Sequence, residues 1–208
     1  MPPTSIADTP QTEHTLPPVL PADDTRGTYG MLLFVLTESF LFVFMFFAYY
    51  YVEKGNQRWH IEVPPRLHYA LPQLGLLALG SLLLWWGEKQ ALQRKGLAAR
   101  LAILGTIILG FGYLVLSYFS YSEHLQHISL HTDAYGSAFY TITGIHIAHL
   151  ILGILMLFWV ILLPHWEPMP RPPHRPYHNV AIYWHFVAAL WLITVCILYI
   201  GPNVYNAL

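Results

Sequence analysis

The chain has 208 residues, of which 55% are hydrophobic and only 10% are charged, whereas ordinary soluble domains carry about 25% charged residues. A soluble domain of this size needs a polar surface that so few charges cannot supply, so the composition indicates a membrane protein. Ten Lys and Arg against eleven Asp and Glu leave no basic excess and give nucleic-acid binding no support. The single cysteine, Cys196, excludes an internal disulfide and a CxxC metal or redox site.

Residues 1–28 are rich in Pro and Thr and contain few large apolar side chains. Such a segment has little to bury, which predicts a disordered tail followed by a membrane domain over residues 29–208. It does not resemble a signal peptide, because its one basic residue, Arg26, comes late and no basic start precedes an apolar core.

Five segments reach the length of about 20 apolar residues that a membrane-spanning helix needs. Glu38 is the one formal charge of the first segment, and the other four contain none. Because no alternating pattern predicts a β-barrel, we expect an all-α, multi-pass bundle of five transmembrane helices. The predicted spans are 31–50, 67–86, 101–121, 134–163 and 180–200.

The basic residues of the loops predict the orientation of the bundle. With a cytoplasmic N-terminus, seven Lys or Arg face the cytoplasm and three face the other side, which favours N-in and C-out. The cytoplasmic set is Arg26, Lys89, Arg94, Lys95, Arg100, Arg171 and Arg175, and the opposite set is Lys54, Arg58 and Arg66.

Aromatic residues and glycines suggest further features of the bundle. Tyr and Trp near the ends of spans predict an interfacial belt, and spaced small residues predict close helix contacts. The belt residues are Tyr49, Tyr50, Tyr51, Trp85, Trp86, Trp166 and Tyr205, and the small residues are Gly75, Gly80, Gly105, Gly112, Ser137 and Gly144.

Two loops have distinctive sequences. Residues 164–178 contain six prolines, which predicts a stiff extended crossing rather than a helix. His124, His127 and His131 would share one face of a helix, which is compatible with an amphipathic interfacial turn or with a surface metal site.

Glu38 lies eight residues into the first span, where an ionised carboxylate is costly. It is either a proton-handling or lipid-headgroup site, or a structural carboxyl that is hydrogen-bonded across a helix interface. His146 and His149 lie on one face of the fourth span, three residues apart. We predict that Glu38 pairs with His149, or failing that with His146, directly or through one water.

The buried histidines leave two interpretations open. Their imidazoles either hydrogen-bond neighbouring helices or ligate a metal or haem, with His68, His146, His149 and His185 as candidate ligands. The spans contain no Glu-x-x-His pairs of the kind that carboxylate-bridged metal sites use.

Two segments carry a family resemblance. AYGSAFYTITGIHIAHLILG (134–153) and AIYWHFVAALWL (181–192) resemble subunit III of haem–copper respiratory oxidases, in the order and at the separation found there. The second contains the motif Tyr183, Trp184, His185, and the first span resembles the helix of that family with a buried glutamate, here Glu38. The resemblance covers residues 29–202 and corresponds to the short, five-helix form.

The chain departs from the family pattern at four positions. Ala188 stands where the family usually has Asp, and His178 stands where it has an acidic residue. Ser117 and Ser120 correspond to a Gln and a Glu of the family. These departures remove acidic groups on which support of proton uptake would depend.

The resemblance implies a non-catalytic subunit without haem or copper of its own, since those cofactors belong to partner subunits. It implies packing on the catalytic subunit I, with subunit II and small subunits, in a prokaryotic plasma membrane, and it allows bound phospholipid. The implied role is to protect the catalytic subunit during oxygen reduction and proton pumping. The alternatives are an accessory subunit of a nitric oxide reductase and, in a different class, a haem-binding electron-transfer protein.

Overall fold

The computed structural model describes residues 26–55, 67–93, 95–124, 134–163 and 174–201, and all regular secondary structure within these ranges is helical. Each of the five α-helices is long and apolar enough to cross a membrane. They are α1 (Arg26–Gly55), α2 (Leu67–Leu92), α3 (Gly96–His124), α4 (Ala134–Leu162) and α5 (His174–Val195), which continues into a π-helical turn, Cys196–Ile200.

The predicted number of five long apolar helices is confirmed, and most of the helices extend beyond the predicted spans. α1 begins at Arg26 and α5 begins at His174, because backbone hydrogen bonding continues past the apolar core. The extended crossing predicted for 164–178 is therefore wrong over 174–178, where Pro176 lies in the first helical turn and needs no amide hydrogen. The predicted tail is likewise helical over residues 26–28, while residues 1–25 lie outside the described residues.

Helix α5 lies at the centre of the bundle and contacts α1, α2 and α4. α3 packs on α2 and α4, and α1 packs on α4 and α5. Half of the most apolar stretch of α5 is buried inside the protein, against 11% of the corresponding stretch of α1. α1 is therefore a peripheral helix, and few contacts hold it to the rest of the bundle.

Glycines allow α2 to approach α3 and α5 closely. A Cβ at Gly80 would lie 3.0 Å from Trp184 Nε1, and a Cβ at Gly87 would clash with the Tyr177 hydroxyl. The contact predicted at Gly80 is thus confirmed. The contact predicted at Gly75 is wrong, because a Cβ there would meet nothing within 4 Å.

The predicted aromatic belt is partly confirmed. Tyr50, Tyr51, Trp85 and Trp86 are exposed at the helix ends. Tyr49 is buried and packs edge-on against Tyr135 of α4, so it belongs to the core. Trp166 and Tyr205 lie outside the described residues.

A candidate polar site inside the helix bundle

Glu38 and His149 join the peripheral helix α1 to α4. His149 Nε2 lies 3.0 Å from Glu38 Oε2, and the two side chains are 13% and 24% exposed. The pairing predicted from the sequence is confirmed, and it is direct. Each side chain gives the other the hydrogen-bond partner that the lipid interior cannot provide.

The hydrogen bonds of His149 determine how many protons the pair carries. Its Nδ1 lies 2.8 Å from the carbonyl oxygen of Ile145, and a carbonyl only accepts, so Nδ1 carries a hydrogen. The contact between Nε2 and Glu38 Oε2 needs one further hydrogen, on either the carboxyl or the ring. Glu38 and His149 together are thus neutral overall, either as acid and imidazole or as carboxylate and imidazolium, which suits a membrane interior.

Tyr183 of α5 completes this three-helix junction. Its hydroxyl donates to the backbone carbonyl of His149 at 3.1 Å, and its ring stacks on Phe34 of α1 with centroids 5.8 Å apart. Phe42 meets the His149 ring edge-on at 5.2 Å. The pair therefore lies among aromatic rings where α1, α4 and α5 meet.

His146 is fully buried and bonds two other helices instead of Glu38. Its Nε2 lies 3.0 Å from the carbonyl oxygen of Val187, so Nε2 donates. The Tyr113 hydroxyl then donates to Nδ1, at 3.2 Å. A neutral imidazole satisfies both contacts and links α3, α4 and α5.

Sequence reasoning missed a buried glutamine on α2. Gln73 Nε2 donates to Ser117 Oγ of α3 at 2.9 Å, and Ser117 donates to the carbonyl of Tyr113. The amide that meets Ser117 is thus supplied by α2. The polar Gln73 within an apolar span was the available signal.

The two other residues of the family motif have different surroundings. Trp184 is fully buried, and its Nε1 has no hydrogen-bond partner within the described part of the chain. His185 is partly exposed, and none of the described residues forms a hydrogen bond with its ring.

A second carboxylate–imidazole pair, which sequence reasoning also missed, joins α2 to α5. His178 Nδ1 lies 2.6 Å from Glu88 Oε1. The carboxylate of this contact comes from α2 and the imidazole comes from α5. The neighbouring Tyr177 donates its hydroxyl hydrogen to the carbonyl of Leu84, one turn before Glu88 on α2, at 3.0 Å.

The geometry of His146 and His149 gives no support to the metal and haem interpretations. Both ring nitrogens of His146 and of His149 are already hydrogen-bonded, so an iron ligand there would have to give up one bond. His68 lies at the opposite end of the bundle, 3.8 Å from Glu123. Of the loop histidines, His127 and His131 lie outside the described residues. The absence of cofactors from this chain stays a prediction.

These features define a class: a five-helix, multi-pass membrane protein whose polar side chains bond one helix to another. Residues 21–202 match the family described as cytochrome c oxidase subunit III. The chain belongs to the cytochrome c oxidase subunit III family, as its motifs indicated, and is a subunit III of a haem–copper oxidase.

Individual relatives agree with this family assignment. Cytochrome c oxidase subunit 3 of Thermostichus vulcanus is 30% identical over 187 residues, covering 82% of this chain and 85% of that protein. The protein of the same name from Squalus acanthias is 30% identical over 195 residues, covering 89% and 72%. That from Aedes aegypti is 26% identical over 199 residues, covering 91% and 73%.

Proposed function

We propose that this chain is a non-catalytic, stabilising subunit that packs against the catalytic subunit I, beside subunit II, in a prokaryotic plasma membrane. The match over residues 21–202 carries this proposal. In the proposed complex, haem and copper reside in the partner subunits, and this chain contributes packing surface and bound phospholipid. Its task is to prolong the active life of the catalytic subunit during oxygen reduction.

The nature of the polar site supports a structural role. Glu38 with His149, Tyr113 with His146, and Gln73 with Ser117 each bond one helix to another. Buried polar groups that satisfy one another hold helices in a fixed arrangement. Helices held in a fixed arrangement present a constant packing surface to a neighbouring subunit, as a supporting role requires.

The second part of the proposal concerns whether Glu38 serves proton uptake or holds two helices together. The contact between Glu38 Oε2 and His149 Nε2 requires one hydrogen between the two groups, and it joins α1 to α4 inside the bundle. At Ala188, His178, Ser117 and Ser120 the chain has no acid where the family has acidic or amide groups. We therefore propose that Glu38 and His149 serve as a neutral clamp and that this subunit gathers few protons from solution.

Neither alternative function is favoured. The matched family and the relatives are named for cytochrome c oxidase, not for a nitric oxide reductase. Of the four candidate haem ligands, His146 and His149 already have both ring nitrogens in hydrogen bonds.

Purification in mild detergent, followed by mass spectrometry and absorption spectroscopy, tests the proposal. We expect the chain to be recovered with the catalytic subunit and subunit II of an oxidase, and the isolated chain to show no Soret band. Recovery with the subunits of a nitric oxide reductase would contradict it. So would a Soret band of the isolated chain that His146→Leu or His149→Leu abolishes.

A further inference from the structure

The groove between α1 and α2 is open along one face of α5. α1 packs on α4 and α5, α2 packs on α3 and α5, and α1 and α2 have no extended contact within the described residues. Tyr177 and Trp184 of α5 turn towards α2, while Asn179 and Tyr183 turn towards α1. Between these two sides lies the α5 groove face, formed by His178, Ile182, His185, Ala189, Leu192 and Cys196.

The α5 groove face is accessible from outside the bundle. Leu192 is 50% exposed, and Ala189 and Cys196 are exposed as well. Ala78 and Gly75 on the outer side of α2 are also exposed and small. Small side chains of this kind allow another helix to approach closely in a membrane.

His185 is a polar residue on the α5 groove face near the middle of the membrane, and the buried hydroxyl of Ser81 lies beside it. His185 lies ten residues, or about 15 Å of helix rise, from Arg175 at the start of its span. α2 and α5 run antiparallel, and Glu88 contacts His178. Ser81 lies seven residues before Glu88 on α2, and His185 lies seven residues after His178 on α5. The antiparallel register therefore places Ser81 opposite His185.

Neither of these groups has a hydrogen bond within the described residues, although the Glu88 carboxylate, which is already bonded to His178, acts on the His185 ring electrostatically. The Ser81 hydroxyl oxygen is buried without a hydrogen-bond partner among the described residues. The ring of His185, which is partly exposed, has no hydrogen bond to any of them either. In hydrocarbon an imidazole without a partner is costly, so lipid chains are a poor cover for this position.

The outward face of α3 provides the contrast. Its exposed side chains through the membrane are apolar or aromatic, which is the chemistry of a face that meets lipid. They include Leu104, Ile108, Phe111, Val115 and Tyr118.

We propose that the groove between α1 and α2 receives a transmembrane helix of a partner subunit of the oxidase, which packs on the α5 groove face and hydrogen-bonds His185. The proposal rests on the proposed function, since it needs a partner within the oxidase. It defines the chemistry of that partner: a helix with a hydrogen-bonding side chain at mid-membrane depth that approaches closely at Ala189.

The single native cysteine allows a direct test. Cys196 lies on the α5 groove face near one end of the span, so a membrane-permeant maleimide reports whether the groove is covered. The matched control is Tyr118→Cys in a Cys196→Ser background, because Tyr118 is 71% exposed on α3 at a similar depth. Labelling rates are compared in the intact oxidase and in the chain alone in phospholipid vesicles.

We expect labelling of Cys196 to be about tenfold slower or more in the intact oxidase than in vesicles, because interface cores are packed as tightly as protein interiors. The control cysteine at position 118 should react at similar rates in both. Equal rates for Cys196 in the oxidase and in vesicles would overturn the proposal. The proposal would also be overturned if Cys196 reacted much more slowly than the control cysteine at position 118 already in vesicles. Lipid or a second copy of the chain would then cover the groove.

Variants of His185 test the hydrogen bond itself. His185→Leu should reduce recovery of the chain with the oxidase by about threefold to about twentyfold, the range expected for a polar contact between membrane helices. His185→Gln, which keeps hydrogen-bonding capacity, should largely restore recovery, and Tyr118→Leu should leave it unchanged. Unchanged recovery of the His185→Leu chain would contradict the assignment. If the unmodified chain is not recovered with an oxidase at all, the proposed function fails instead.

Discussion

His149 Nε2 lies 3.0 Å from Glu38 Oε2 and thereby fastens the peripheral helix α1 to α4. Replacing Glu38 by Ala leaves the imidazole nitrogen without its partner. We expect Glu38→Ala to lower the free energy of unfolding by about 1–3 kcal/mol, the usual cost of an unsatisfied polar group. Unfolding of the purified chain in mixed detergent micelles measures this loss.

Glu38→Gln distinguishes the hydrogen bond from the charge. The glutamine amide can donate to Nε2 of a neutral His149, so this variant should lose less stability than Glu38→Ala. Thr37→Ala is the control, because Thr37 is exposed and its hydroxyl bonds only the carbonyl of Phe34 in its own helix. Equal losses for Glu38→Ala and Thr37→Ala would contradict the clamp.

The buried contact between Tyr113 and His146 should also contribute to stability. Tyr113→Phe removes the hydroxyl that donates to His146 Nδ1 and leaves a buried acceptor unpaired. We expect a loss of about 1–3 kcal/mol in the same unfolding measurement. Tyr118→Phe, on the exposed face of α3, should be neutral, and equal effects of the two substitutions would show that the contact adds nothing.

Two glycines of α2 should differ in how far their replacement by alanine changes the stability of the chain. A methyl group at Gly87 clashes with the Tyr177 hydroxyl and with Ala102, so Gly87→Ala should destabilise the chain by about 1–3 kcal/mol. Gly75→Ala meets open space and should cost nothing. A stable Gly87→Ala chain with an unchanged Tyr177–Leu84 hydrogen bond would contradict the packing described for α2 and α5.

Orientation can be measured with introduced cysteines in a Cys196→Ser background. The distribution of Lys and Arg predicts that position 94 faces the cytoplasm and position 56 faces the other side. An impermeant maleimide added from outside should therefore label Asn56→Cys and spare Arg94→Cys. The reverse pattern would overturn the N-in, C-out topology.

The sequence was sufficient for the helices and for one interhelical bond. Five long apolar segments predict five helices, and a lone carboxyl in one span needs a partner that the histidines of another can supply. The sequence favoured His149 but left His146 open as the partner of Glu38, because the choice depends on the rotation of α4 about its axis. That rotation directs His146 to Tyr113 and Val187 instead.

Other features depend on contacts between distant segments, which a single sequence does not reveal. Gln73 and Glu88 are polar residues in or near an apolar span, but their partners Ser117 and His178 lie far along the chain. Gly75 and Gly87 look alike in the sequence, yet only Gly87 faces another helix. The helical start of α5 was missed because a proline-rich segment was interpreted as wholly extended.

Loss of activity during turnover tests the supporting role most directly. Oxidase purified with this chain, and the same oxidase from cells that lack it, should begin with similar rates of oxygen consumption. We predict that activity then decays faster in the enzyme without the chain and that adding back the purified chain restores its lifetime. Equal lifetimes of the two enzymes over many turnovers would contradict the role proposed for this subunit.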